Sequence, residues 1–183
     1  SDNTTKRPGR PLLIADPKSQ ALVNEPGVIY RFDPVTRAVS TFYSDPEMLD
    51  PVDITQDTGG GYVVCDYRYS ATGSERGRIF ELDSQGRPRR PAAQALRHTL
   101  IHDPMCAAVT SDNTIYLADA RIGSSPDRGA IVRVMRPDGP GTQGVVTELV
   151  GESNSLLVNP HGIEVFDLDG DGDDRDILVC DRD

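Results

Sequence analysis

The densest chemistry in this sequence is the run Asp-Leu-Asp-Gly-Asp-Gly-Asp-Asp-Arg-Asp at 167 to 176. Carboxylates on alternate positions of a tight loop, here Asp167, Asp169 and Asp171, point at one centre. Gly172 permits the sharp turn that brings oxygens of Asp173 and Asp176 to the same point. Without a cation these groups repel: at ~4 Å a pair of unit charges costs about 1 kcal/mol in water and about 4 kcal/mol at an effective dielectric of about 20. A hard divalent cation relieves that repulsion, and an all-oxygen donor set favours Ca2+ over zinc or copper. The role expected of the ion is structural, because it would pin a hairpin, whereas a catalytic metal needs open positions for substrate.

A second set of candidates recurs along the chain. Asp50, Asp103 and Asn159 each stand directly before a Pro, in DPVD, DPMC and NPHG. If these segments line a common channel, then Asp50, Asp53, Asp103 and Asn159 are channel-lining oxygen donors, and His161 is the candidate general base. Asx-Pro pairs also simply start turns, and both readings stay open. No GxSxG, Walker loop, CxxC or HExxH occurs. The glycine run at 59 to 61 precedes a strand pattern instead of a helix, so it is not a phosphate cradle.

Positioning these residues requires a scaffold, and the scaffold repeats. One β-branched phrase ending in Asp occurs four times: LLIADP at 12 to 17, YVVCDY at 62 to 67, IYLADA at 115 to 120 and ILVCDR at 177 to 182. A Gly-led alternating phrase follows the first three copies, as GVIYRFD, GRIFELD and GAIVRVM. The Asx-Pro phrase precedes the last three, as DPVDITQD, DPMCAAVT and NPHGIEVF, and a weaker strand, AVSTFY, ALRHTLI or GVVTELV, closes each unit. Four short strands per unit of about 50 residues predict an all-β fold, a β-propeller of about three and a half four-stranded blades. A β-sandwich is disfavoured because it does not repeat at this interval. The single domain 1–183 divides into a partial blade 1–49, blades 50–102 and 103–158, and a partial blade 159–183. The first partial blade lacks its innermost strand, so the expectation is an open arc or part of a six-bladed ring. Its edges would be completed by another chain or by missing blades.

Several of these phrases resemble known families. The GxIYRxDP pattern is similar to NHL-type propeller repeats, and DPMCAAVTSDNTIYLAD is similar to inner-strand segments of the gluconolactonase family. NPHGI resembles a segment of the paraoxonases, six-bladed propeller lactonases, and this resemblance implies that His161 helps activate water, with Asn159 beside it. The D-x-D-x-D-G core of the acidic loop resembles the calcium loops of EF-hands and of FG-GAP propeller repeats. It departs from them at the twelfth position, Leu178, and at the ninth, Arg175, so Asp174 or Asp176 must supply the further oxygen.

The charge balance fits this picture. The chain holds 29 acidic against 19 basic residues, a formal charge of -10, which argues against a nucleic-acid partner. The longest apolar runs span four or five residues, far short of the ~20 that a helical membrane span needs. Cys65, Cys106 and Cys180 are an odd count without close spacing, which argues against a disulfide framework or a four-Cys zinc site. The expectation is therefore a calcium-stabilised propeller repeat module acting in binding or assembly, self-associating or paired with another propeller segment, with a small-molecule ligand as a further option. The alternative is a metal-dependent lactonase- or esterase-like hydrolase with a central-channel site. An extracellular or periplasmic location follows weakly from the calcium loop, because millimolar Ca2+ there would fill a site that lacks the usual final acid.

Overall fold

The computed structural model describes residues 11–17, 26–67, 77–120, 129–151, 157–167 and 176–182. Among them the fold is all-β, with twelve strands and one 3-10 turn. Each Asp-ended phrase is a strand, because a short run rich in β-branched residues can send alternate side chains to opposite faces of a sheet and bury both. These strands are β1 (Leu12–Asp16), β5 (Tyr62–Asp66), β8 (Ile115–Asp119) and β12 (Asp176–Asp181). The Gly-led phrases form β2 (Val28–Phe32), β6 (Arg78–Leu82) and β9 (Ala130–Met135). The Asx-Pro phrases form β4 (Pro51–Gln56), β7 (Pro104–Val109) and β11 (Pro160–Phe166), and two closing strands follow as β3 (Val39–Ser44) and β10 (Val145–Val150).

These strands make four antiparallel sheets, none of them closed: β1-β2-β3, β4-β5-β6, β7-β8-β9-β10 and β11-β12. The strand complement follows the repeat except in the second sheet. There ALRHTLI was expected to close the sheet as a fourth strand, and it does not. Only isolated bridges, Ile79 to Leu96 and Leu82 to Pro88, stand in its place, around a 3-10 turn at Ala92–Gln94. Pro88 and Pro91 lack the N–H groups that a continuous ladder needs. His98 and His102 consequently lie in the following turn, where the His98 ring accepts the Leu100 N–H at 3.2 Å and His102 Nε2 lies 2.9 Å from the Thr99 carbonyl.

The sheets pack on one another in chain order, and strand alternation decides which side chain faces which neighbour. In β5 and β8 the first and third residues turn toward the preceding sheet, and the second and fourth toward the next. Leu13 and Ala15 of the first sheet thus meet Tyr62 and Val64 of the second. Val63 and Cys65 on the other face meet Ile115 and Leu117 of the third. Tyr116 and Ala118 then meet Ile177 and Val179 of the fourth.

Charge fixes the second sheet to the third. The buried Glu81 carboxylate accepts Arg90 Nη2 at 2.8 Å and Arg136 Nη1 at 2.9 Å, together with the Gly141 N–H. Arg136 Nε also donates to the Asn113 carbonyl at 2.8 Å, and Arg89 pairs with the buried Asp57 at 2.8 Å. No helix among the described residues is long and apolar enough to cross a membrane.

Candidate functional site

The Asx-Pro strands are positioned by a joint that recurs in three sheets. The Asp that ends the neighbouring strand turns its carboxylate back onto the residues leading into the Asx-Pro strand. Asp66 accepts the N–H of Leu49 at 3.2 Å and of Asp50 at 2.6 Å. Asp119 accepts those of His102 at 2.7 Å and Asp103 at 3.0 Å, and Asp181 those of Val158 at 2.8 Å and Asn159 at 2.6 Å. The residue after each Asp closes the loop, with Tyr67, Ala120 and Arg182 donating to the carbonyls of Asp50, Asp103 and Asn159. Asp66, Asp119 and Asp181 are thus backbone acceptors, a role that their repetition signals but their residue type alone does not reveal.

A second joint links each sheet to the next. The Gly that precedes β2, β6 and β9 lies against the Pro that opens the following sheet: a Cβ on Gly27 would stand 2.2 Å from Pro51 Cδ, on Gly77 2.2 Å from Pro104 Cδ, and on Gly129 2.0 Å from Pro160 Cδ. No side chain fits there. The same three glycines donate their N–H groups to the carbonyls of Met48, His102 and Leu157.

Asp50, Asp103 and Asn159 therefore occupy equivalent places, each tied into its own sheet through its backbone. Burial pushes the Asp50 carboxyl above its ordinary pKa, and Asp103 is buried. One position further in, the register of all three sheets slips between Pro51 and Asp53, Pro104 and Cys106, and Pro160 and Gly162. The extra residue of each bulge is Val52, Met105 or His161, and a bulge re-aims the side chain it carries. His161 Nε2 and Asn159 Oδ1 are both buried and have no hydrogen-bond partner. Among the described sequence-predicted residues, these two carry a buried side-chain polar atom without a partner.

Asp53 instead meets a residue outside the predicted set. Its carboxylate accepts the Ala107 N–H at 2.9 Å, lies beside the Cys106 thiol, whose Sγ is 4.0 Å from the Ile163 carbonyl, and stands across the β4–β5 ladder from Cys65. Burial pushes the Asp53 carboxyl above its ordinary pKa, with Glu164 adding repulsion. Burial, reinforced by the Asp53 charge, raises the Cys106 thiol to about 11, and burial holds Cys65 well above its ordinary value. Both thiols are protonated at neutral pH and are poor nucleophiles. The sequence shows Cys106 aligned with Asp53 and Gly162 in the repeat, but not that adjacent sheets bring the first two into contact.

The core of the acidic loop, including Asp169, Asp171 and Asp173, lies outside the described residues. Asp167 directly follows β11 and Asp176 opens β12, where it pairs with Phe166, so the insertion leaves and re-enters the ladder at one point. Among the described residues no three His, Cys, Asp or Glu side chains form a group that could hold a metal ion. In comparisons with known proteins, no family model matches this chain and no curated protein matches it.

Proposed function

We propose that this chain is a calcium-stabilised β-propeller repeat module that acts in binding or assembly, its terminal sheets completed by another chain or by further blades. The observation that carries this reading is the Gly-to-Pro joint at Gly27–Pro51, Gly77–Pro104 and Gly129–Pro160, one geometry used at three successive sheet junctions. A joint that repeats without change can be extended by further units of the same kind. Ca2+ is the expected ion of the loop between β11 and β12, with Asp167, Asp169, Asp171, Asp173 and Asp176 as its oxygen donors. The hairpin geometry at Phe166 and Asp176 suits such a loop. Bound there, the ion would offset carboxylate repulsion and stiffen the last hairpin. Calcium at the millimolar level of an extracellular or periplasmic space suits a loop without an acid at its twelfth position. Calorimetry and thermal melting with millimolar CaCl2 test this part: binding heat and a raised Tm are expected, and the absence of both rejects the calcium site.

A second reading is favoured by one observation, the unpartnered and buried His161 Nε2 and Asn159 Oδ1. It is a metal-dependent lactonase- or esterase-like hydrolase whose channel site centres on His161. A panel of lactones and aryl esters, assayed with and without Ca2+ on the wild type and on His161→Ala, tests it. Turnover lost in the variant supports this reading, and equal background rates in the two proteins reject it.

A further inference from the structure

We infer that Glu81 selects which sheet seats on the third sheet, so that copies of this chain keep their own sheets while folding and do not exchange them. This selection concerns the order of sheets inside one chain, and it is independent of calcium and of the assembly proposed above.

The joints alone leave that order open. Gly27, Gly77 and Gly129 lie against a proline of the following sheet in one geometry, which does not distinguish one Gly-led strand from another. The apolar faces are hardly more selective. Val63 and Ile79 of the second sheet meet Ile115 and Leu117 of the third, and Ala118 and Ile131 of the third meet Ile163 and Val179 of the fourth. Surfaces of such similar residues substitute for one another at small cost. Connections within a chain hold neighbours together, but chains folding side by side offer each other the same joints, which is the usual route to swapped repeats.

One repeated position does discriminate. The ladders set Arg31 opposite Leu13, Glu81 opposite Val63 and Arg133 opposite Tyr116, so these three hold one place in the first, second and third sheets. Strand alternation puts each on the same face as Ile29, Ile79 or Ile131, toward the next sheet. The charge there runs positive, negative, positive. Arg31 is exposed and Arg133 half-buried, whereas Glu81 is 2% exposed.

The third sheet is built to read that difference. The Arg136 side chain is fully buried, its Nε donates to the Asn113 carbonyl at 2.8 Å, and its Nη1 meets the Glu81 carboxylate at 2.9 Å. Gly141 gives its N–H to the same carboxylate oxygen. If Arg31 or Arg133 of another copy stood in the place of Glu81, a guanidinium would face a buried guanidinium and a backbone donor, with no acceptor for either. Buried like charges without a counter-ion are strongly excluded. Arg90, which pairs with the other Glu81 oxygen at 2.8 Å, comes from the segment after β6 and accompanies Glu81 wherever the second sheet goes. Buried ionic networks add little stability over apolar packing, and their best-attested use is to fix which surfaces pair.

Arg136→Met tests this, because it erases the third sheet's charge while Glu81 keeps Arg90 and no charge is stranded. Unlabelled and heavy-isotope-labelled chains are mixed in urea, refolded together at high concentration, diluted in EDTA and weighed by native mass spectrometry. Sheets exchanged during folding stay trapped, so mixed-label pairs that survive dilution count exchange, whereas reversible association disappears. The wild type is expected to give few such pairs and Arg136→Met several-fold more. Arg136→Lys, which keeps the charge without the planar fork, should stay near the wild type. Mixed-label pairs equally frequent in Arg136→Met and the wild type overturn the inference, as do pairs equally frequent in Arg136→Lys and Arg136→Met. An Arg136→Met chain that does not refold at all also overturns it, because the cluster would then serve stability and not selection.

Discussion

The carboxylate of Asp66 accepts the backbone N–H of Asp50 at 2.6 Å, so the end of one strand caps the entry to the strand beside it. Asp66 is buried and also takes the Leu49 N–H, so it satisfies two donors at once. Asp66→Ala would leave both donors unpaired beside a small void. Hydrogen bonds to a charged group are worth about 1.5–3 kcal/mol each in favourable cases, so a loss of about 3 kcal/mol is expected in urea denaturation. Asp119→Ala should cost a similar amount. Asp181 makes the same bonds from an exposed position, and Asp181→Ala should cost less than about 1 kcal/mol.

Gly77 is the sheet-to-sheet joint most hemmed in by backbone. A Cβ there would stand 2.2 Å from Pro104 Cδ and 2.8 Å from the carbonyls of both Asp66 and His102. Two of those three neighbours are backbone, so relief requires the sheets to separate. Gly77→Ala should destabilise by about 3 kcal/mol or more, at the upper end of overpacking costs. Gly139→Ala is the control: its φ of +86° strains any side chain, but nothing lies within 4 Å, and about 1 kcal/mol is expected.

Much of this was legible in the sequence, and what was not has physical reasons. The strands could be read because both faces of LLIAD, YVVCD and IYLAD are apolar and because Gly, Pro and Asp recur at fixed offsets between them. ALRHTLI misled because its apolar residues do pack on the core, through Leu96 and Ile101, while Pro88 and Pro91 deny it a ladder. Composition shows what a segment can bury, not whether its backbone can pair. Asp53 was legible as an inward-facing acid, but its Cys106 partner belongs to another sheet. The Glu81 cluster was invisible for a related reason: Arg90 and Arg136 come from different units, and neither sits at a repeated position.

Glu81 carries the third test. Its carboxylate lies between Arg90 and Arg136, with little solvent to screen either pair. Burial lowers the pKa of Arg136, and the Glu81 charge counteracts that. Glu81→Gln would keep the shape but strand two guanidinium groups, so a loss of about 3–5 kcal/mol is expected. Added salt should do little to change this difference, because screening scarcely reaches buried pairs.

Asp53 gives a pH-dependent outcome with a definite sign. Burial raises its folded-state pKa above the unfolded value, so folding favours the protonated carboxyl. That contribution is fully present below the unfolded pKa of about 3.9 and is lost as pH rises through the higher folded-state value. Asp53→Asn keeps an oxygen for the Ala107 N–H and has no charge to bury. Its stability relative to the wild type should therefore rise between about pH 4 and pH 7, measured by urea denaturation of both proteins across that range. A difference that falls with pH would contradict the burial of a charged Asp53.

The central claim is that this chain is a calcium-stabilised repeat module built to be extended by units of its own kind. The native mass of residues 1–183 at micromolar concentration, measured in millimolar Ca2+ and again in EDTA, tests that most directly. The expected result is a two-copy or larger assembly in Ca2+ that weakens or dissociates in EDTA. A monodisperse single chain, identical in both buffers, would contradict it.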